Sequence, residues 1–363
     1  MKVLHVITSL RTGGAEKLML DLLPRLQRDG IDVALCLFDG IDTTFKEDFK
    51  STGIPLIEFS KDRNVYSPAN LLSLIHLLRK GDYDIIHTHN TAPQLFGAIS
   101  SVVCSVVLCT TEHTTSNRRR GSRWYGMIDR WMYSRYSKII CISDKTEKNL
   151  RDSLDNFNPA TETIFNGIDV AKYVNANAGG IDKIKDNCEF AIIQVAGFRY
   201  QKDQKTVIRA LQILPESVHL YFAGDGELID ECQDFARECN VEKRVHFLGV
   251  RSDIPQLLKA SDIVVMSSHW EGFGLAAVEG MAAGKPVLAS DVDGLREVVN
   301  GAGLLFNHGD YRDLAYKIKT LIDDGELYKN ISRRGSNRAL DYDISKMASA
   351  YKREYMNILR ALR

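Results

Sequence analysis

The chain has 363 residues, more than one ordinary core accommodates and about right for two domains of typical size. Its composition, 44% apolar and 26% charged, is that of a soluble globular protein, and 47 acids balance 47 bases, so no global positive excess points to a nucleic-acid partner. The seven cysteines form no CxxC pair, a pattern that fits reduced thiols in a cytoplasm better than a disulfide scaffold or a zinc site.

In chain order, Lys2 to Thr8 (KVLHVIT) is a β-branched apolar run, too short for a signal peptide, and predicts a strand. A loop with Gly13 and Gly14 follows, then a helical pattern from Ala15 to about Gln27 and a strand from Val33 to Phe38. Strand, glycine turn, helix and strand open a parallel, doubly wound sheet. DIIHTHN ends another strand with His87 and His89, and the run from Val106 to Cys109 leads into CTTEHTT and His113. The apolar stretch 95–109 is broken by three serines and falls short of the ~20 residues a spanning helix needs. A cytoplasmic location is expected, peripheral to a membrane at most.

From Thr114 to Lys138 seven basic residues, among them Arg118, Arg119 and Arg120, interleave with Trp124, Tyr125, Trp131, Tyr133 and Tyr136. This suits either anionic lipid headgroups or an ordinary helix with a solvated basic face. Residues 171–187, rich in Asn, Ala, Gly and Lys without an apolar period, read as a linker after a first domain at 1–170. The strand pattern restarts at Phe190 to Ala196, with a helix from Thr206 to Leu214, then VHLYFAGDGE, VHFLG, DIVVMSS and KPVLASD. The second domain is expected at 188–340. At 341–363, Ala348, Tyr351, Tyr355, Ile358 and Leu362 recur at helical spacing, an amphipathic helix expected to pack back on the first domain. The whole reads as two Rossmann-like α/β domains facing a cleft, with ligands beyond the carboxyl ends of the strands.

The loops after strands carry the chemistry. VAGFRYQKDQ places Arg199 and Lys202 in the turn after the second domain's first strand, where arginine can take two phosphate oxygens and lysine acts as a point charge. In HWEGFGLAAVEG, Gly272 and Gly274 flank Phe273 before a helix beginning near Leu275, and free N–H groups at such a start favour phosphate. Glu271 precedes the helix and suits sugar hydroxyls, while Glu279 lies among Ala, Val, Gly and Met and suits a ribose. The plainer alternative has Glu271 complementing the helix dipole and Glu279 facing water. Gly280 costs such a helix about 1 kcal/mol relative to alanine, which suggests close packing.

EGFGLAAVE with the trailing AAGKPVLASDVDGLREVV resembles the E-x7-E signature of the retaining glycosyltransferases of family 4, which have the GT-B fold. LRTGGAEK resembles their N-terminal glycine loop, IFNGID their PNG-x-D turn, and VHFLG the strand before the base-binding loop around Val250. The resemblance implies that Gly13 and Gly14 lie at the donor, that Glu271 holds donor-sugar hydroxyls and Glu279 the ribose, and that backbone around Gly272 to Leu275 faces sugar and diphosphate. It also implies Lys202 and Arg199 as the diphosphate clamp, although many members carry the arginine where this chain has Gly197. His113 matches a histidine that contacts the sugar near the reacting carbon, and His89 is a weaker acceptor-side candidate, as are Arg118, Arg119 and Arg120.

The activity so implied is retaining transfer of a hexose or N-acetylhexosamine from a nucleoside-diphosphate sugar, UDP-sugar favoured, to an acceptor hydroxyl on a glycan or polyprenyl-diphosphate-linked glycan. Asp82 with Asp84 and Asp291 with Asp293 have the spacing of metal motifs, but the clamp already supplies compensating charge, so no metal or other cofactor is expected. A sugar-nucleotide epimerase and a non-catalytic nucleotide-sugar-binding protein are the rival readings.

Overall fold

The structure is a computed structural model describing residues 1–11, 13–61, 63–114, 123–154, 157–178 and 189–362, with the backbone alone for 123–125. The chain divides into two compact units, Met1–Gly167 with Ile344–Arg363, and Ile168–Asp343.

The first unit alternates β1 (Lys2–Ile7), α1 (Gly14–Arg28), β2 (Asp32–Leu37), α2 (Thr44–Lys50), β3 (Leu56–Glu58), α3 (Pro68–Lys80), β4 (Ile85–His89), α4 (Thr91–Ser100), β5 (Leu108–Glu112), α5 (Arg123–Ser134), β6 (Lys138–Cys141), α6 (Asp144–Ser153) and β7 (Thr161–Thr163). Its seven strands lie in the order β3-β2-β1-β4-β5-β6-β7, and every pairing is parallel. Parallel strands buried on both faces read as apolar runs, as in KVLHVI and DVALCL. The strand expected at Val106 to Cys109 runs instead from Leu108 to Glu112. Its polar residues Thr110, Thr111 and Glu112 are buried because each has a side-chain partner, which hid the strand from an apolar pattern.

The second unit comprises α7 (Val170–Val174), β8 (Phe190–Val195), α8 (Gln204–Leu211), β9 (Val218–Ala223), α9 (Ile229–Glu238), β10 (Val245–Phe247), α10 (Ile254–Ala260), β11 (Ile263–Met266), α11 (Leu275–Ala282), β12 (Val287–Ser290), α12 (Leu295–Val299), β13 (Leu304–Phe306), α13 (Tyr311–Asp323) and α14 (Gly325–Ala339). Its six parallel strands run β10-β9-β8-β11-β12-β13. The residues read as the start of a linker differ: Val170–Val174 is helical, capped by Asp169, with Val170 and Tyr173 buried.

The last helix, α15 (Ile344–Ala361), belongs to the first unit. Its Met347, Ala348, Tyr351, Tyr355 and Ile358 join the core formed by Val3, Ile7, Leu18 and Leu22, while Leu362 lies beyond the helix end and is exposed. Tyr351 and Tyr355, four residues apart, share one helix face. Between that face and the sheet runs a seam of buried polar groups. Tyr355 Oη lies 2.6 Å from His87 Nδ1 and 3.4 Å from His5 Nε2, His87 Nε2 lies 2.7 Å from Thr111 Oγ1, and Thr111 Oγ1 lies 3.0 Å from Tyr351 Oη. Register explains the assembly: His5 pairs with His87 across β1 and β4, and His87 with Cys109 across β4 and β5.

Burial pushes the His5 imidazole from 6.5 down to about 3, so the folded chain keeps it neutral where the unfolded chain binds a proton. The stability this group supports is complete above pH 6.5 and is lost as pH falls toward 3. His5 alone should cost about 3 kcal/mol by pH 4. Urea midpoints measured on the full chain are therefore expected to fall between pH 6.5 and 4, and to fall less in a His5→Gln variant; a curve flat over that interval would contradict the account.

Candidate active site

In open parallel sheets the crevice forms where strand order reverses, between strands whose connections leave in opposite directions. In the second unit that point lies between β8 and β11. The loop after β8 carries Arg199 and Lys202, and the loop after β11 carries Ser268, Glu271 and Gly274. Lys202 Nζ and Glu271 Oε1 form an ion pair across the two loops, and Ser268 Oγ donates to the same carboxylate oxygen at 2.8 Å. Glu271 is 7% exposed, a burial tenable for a carboxylate only with such partners. Two backbone carbonyls on the β8 loop, those of Lys202 and Asp203, accept from Ser267 Oγ at 2.9 and 2.8 Å, and His269 N–H donates to Gln201 O at 2.8 Å. The clamp loops are thereby fixed to each other as well as to the sheet. The Arg199 side chain is exposed and has no hydrogen-bond or ion-pair partner among the described residues.

Helix α11 begins where expected. Its N-cap, Gly274, has φ +93°, and a Cβ there would lie 2.6 Å from Leu295 Cδ2. Gly294 is equally constrained, since a Cβ would fall 2.4 Å from Glu271 O. Phe273 is buried edge-on against Tyr342, with ring centroids 5.1 Å apart, and Gly280 meets Val264 of β11 so closely that an added Cβ would lie 2.8 Å from Cγ2. Glu279 is 3% exposed and does not face water. Val250 is half exposed in a loop anchored by Gly224 N–H donating to Gly249 O at 2.8 Å. The sequence AGDGE contributes a constraint missed from the sequence: a Cβ on Gly224 or Gly226 would strike the backbone oxygens of Ala196 and Phe198 at 2.1 and 2.4 Å.

In the first unit the order reverses between β1 and β4. Gly13, exposed at the N-cap of α1, and Gly14, its first residue, follow β1. Gly13 has φ −175°, so it is extended rather than left-handed. His89 ends β4, and His113 directly follows β5. Glu112, one residue earlier, is held by Gln94 Nε2 at 2.5 Å and Tyr133 Oη at 2.7 Å, which fixes the strand end that presents His113. His113 Nε2 lies 3.0 Å from His89 Nδ1, and His89 Nε2 lies 3.0 Å from His5 Nδ1. His89 is therefore not an acceptor contact: it is fully buried and both ring nitrogens are engaged, so it acts beneath His113. Burial pushes His113 down to about 4 and holds His89 well below its ordinary value, the latter with further depression from neighbouring His87. Arg118, Arg119 and Arg120 lie outside the described residues.

Ring nitrogens of His5, His87 and His89 come within 4.8 Å of one another, the separation of a metal-binding group. The lone pairs do not converge, however. The His87 and His89 rings stack at 4.5 Å with planes 5° apart, and each nitrogen of the three already has a hydrogen-bond partner. Of the acidic pairs weighed as metal motifs, Asp291 and Asp293 both engage Arg296, at 2.5 and 3.3 Å, and Asp84 accepts from Lys2 N–H at 2.7 Å. His5, Ser268, Tyr351 and Tyr355 were not singled out by sequence reasoning as site-forming; a histidine inside KVLHVI reads as core.

Residues 182–338 match the family model for glycosyl transferases group 1, and residues 12–172 match that for glycosyltransferase family 4. The UDP-Gal:alpha-D-GlcNAc-diphosphoundecaprenol alpha-1,3-galactosyltransferase of Escherichia coli is 26% identical across 99% of this chain and 97% of its own length. The N,N'-diacetylbacillosaminyl-diphospho-undecaprenol alpha-1,3-N-acetylgalactosaminyltransferase of Campylobacter jejuni is 29% identical across 47% of this chain and 45% of its own. Among solved structures, HepE of Anabaena in complex with UDP and glucose superposes with a TM-score of 0.86 at 25% identity, covering 98% of this chain and 100% of its own. With two doubly wound parallel sheets of this order, and family models that match one after the other over residues 12–172 and 182–338, the chain belongs to the family 4 glycosyltransferases and has the GT-B fold.

Proposed function

We propose that the protein transfers a hexose or N-acetylhexosamine from a UDP-sugar to a hydroxyl of a polyprenyl-diphosphate-linked glycan, with retention at the anomeric carbon and without a required metal. The observation that carries this reading is the Lys202–Glu271 ion pair at the β8/β11 reversal, next to the glycine-capped start of α11. A nucleotide sugar presents both missing partners together. Its diphosphate takes the Lys202 ammonium and the N–H groups of Gly274 and Leu275, and its sugar hydroxyls donate to the Glu271 carboxylate that Lys202 gives up. Neither charge is left unpaired during the exchange, which keeps donor entry inexpensive despite the burial of both groups.

Lys202, α11 and Arg199, which has no partner among the described residues, supply positive potential where the departing diphosphate gains charge. That is the role a divalent cation fills elsewhere. Glu279 takes the ribose hydroxyls, Val250 and its loop lie at the base, Gly13 and Gly14 let backbone approach the donor, and His113 contacts the sugar. Among the described residues no carboxylate stands as an evident nucleophile, and same-face attack assisted by the leaving phosphate accounts for retention. The lipid-linked acceptor rests on the names of the two bacterial relatives and the uridine base on the Anabaena complex.

Contact with an anionic membrane rests on α5. Met127, Ile128 and Trp131 are exposed there, and just beyond the helix Arg135 donates to Ser101 Oγ at 3.1 Å, next in sequence to exposed Val102 and Val103. Apolar insertion with cationic attraction is the pattern of peripheral binding.

Three outcomes follow. Glu271→Ala is expected to lower kcat/KM for the donor about 100-fold or more, and Glu279→Ala to raise the donor KM about tenfold with a smaller change in kcat; wild-type kinetics in both would end the assignment. Enzyme dialysed against chelator should keep its turnover, and recovery only on adding Mg²⁺ or Mn²⁺ would refute metal independence. In flotation assays the chain should rise with anionic vesicles and not with neutral ones, and Met127→Ser with Trp131→Ser should weaken the anionic binding; equal recovery from both vesicle types would refute it.

A further inference from the structure

Seven buried or half-buried side chains form one continuous hydrogen-bonded series: His113, His89, His5, Tyr355, His87, Thr111 and Tyr351. It spans from the loop after β5 to the C-terminal helix. A neutral imidazole has one N–H donor and one bare acceptor nitrogen, so in such a series the choice at one ring dictates the choice at the next. Two directions of donation are possible, and they differ at the far end.

Tyr351 is fully buried, and its hydroxyl has a single acceptor within reach among the described residues, Thr111 Oγ1. If Tyr351 donates to Thr111, the Thr111 O–H donates to His87 Nε2, its other partner. His87 Nδ1–H then donates to Tyr355 Oη, and the Tyr355 O–H to His5 Nε2. His5 Nδ1–H donates to His89 Nε2, and His89 Nδ1–H to His113 Nε2. The reverse direction makes the same contacts but leaves the Tyr351 O–H with no acceptor inside the core, an orphan that folded proteins avoid. Counting donors therefore selects one direction. Burial independently disfavours a cation in the series, holding His5, His87, His89 and His113 all below the ordinary imidazole range.

We propose that this relay locks His113 as the neutral Nδ1–H tautomer, so that it offers the donor sugar a hydrogen-bond donor and not a base, and that Tyr355 and His89 are positioning residues for it. The proposal rests on the reading of His113 as a substrate contact. Nδ1 of His113 has no hydrogen-bond partner among the described residues, so its proton is free for a sugar oxygen. All four histidines of the series should carry the proton on Nδ1. The relay also gives the C-terminal helix a function in the reaction: its Tyr355 hydroxyl sets the tautomer of a ring that the helix does not touch.

Nitrogen-15 NMR of the histidine-labelled full chain at pH 7 reads the tautomers directly, with ring signals assigned by single His→Gln variants. The expected result is Nδ1–H at His5, His87, His89 and His113, with the other tautomer reduced about tenfold or more, as one orphaned buried donor implies. Tyr355→Phe interrupts the series and should let His113 populate both forms. Tyr351→Phe should leave the His113 tautomer unchanged, because Thr111 still has only His87 to donate to. Nε2–H at His113 in the wild type, or a Tyr355→Phe spectrum identical to it, would overturn the relay.

Kinetics test the contact separately. An asparagine amide N–H takes the place of Nδ1–H, so His113→Asn should stay within about tenfold of wild-type kcat/KM where His113→Ala falls about 100-fold. Should Asn do no better than Ala, the donor role is refuted even with the tautomers as assigned; should His113→Ala keep wild-type activity, the substrate reading of His113 fails and only a structural relay remains.

Discussion

Among the described residues, a carboxylate with 7% of its surface exposed is held in place by one ammonium and one hydroxyl, and the strand-order reversal of the second unit is organised around that fact. The Lys202–Glu271 pair joins loops that leave neighbouring strands in opposite directions. It brings a positive charge and a carboxylate, an acceptor-only group, within contact distance. A buried ion pair is weak evidence for stability, because desolvation offsets much of its attraction. Its value here is preorganisation. Both groups are already stripped of most of their water and already aimed, so the cost of ordering them falls on folding and not on substrate binding.

The glycines around this pair follow from the same close approach. Gly294 is bare because the Glu271 backbone passes where its side chain would stand, and Gly274 because a left-handed cap and Leu295 leave no room. Gly280 lets α11 press against Val264 of β11. These contacts bring the start of α11 down to the strand ends, where its unpaired N–H groups are useful to a phosphate. A helix a few ångströms further from the sheet would keep the same sequence signature and lose the site.

Much of this was legible in the sequence, and the reasons differ by element. Apolar runs such as KVLHVI, DVALCL and IVVM identify parallel strands because both of their faces are covered, and a loop following such a run belongs to the carboxyl edge. That rule puts Arg199, Lys202, Glu271 and His113 just beyond strand ends, and each follows a strand in the structure. Thr110, Thr111 and Glu112 were not seen as strand, since a buried polar residue is recognisable only once its partner is known. His5 failed for the same cause: its partners, His89 and Tyr355, lie 84 and 350 residues away, and nothing local distinguishes it from a satisfied core histidine. The helix Val170–Val174 escaped notice because five residues are too few to show a period.

The C-terminal helix shows why such distant partners are needed. Three histidines side by side on β1 and β4 present six ring nitrogens to a face of the sheet that is, apart from Cys109 and Thr111, lined by Val, Ile and Leu. An apolar helix laid over that face would bury the same area yet orphan His5 Nε2 and His87 Nδ1, each at the cost of an unmade hydrogen bond. Tyr351 and Tyr355 resolve the conflict, because a phenol packs like a core aromatic and ends in a hydroxyl that donates and accepts. Their four-residue spacing delivers both hydroxyls to one face, where Tyr355 serves His5 and His87 and Tyr351 serves Thr111. A helix bound there by packing alone would tolerate sliding by a turn, since one apolar row resembles the next. Bound through two hydroxyls to fixed nitrogens and oxygens, it has one register, and the ring of His113 inherits that precision through His89.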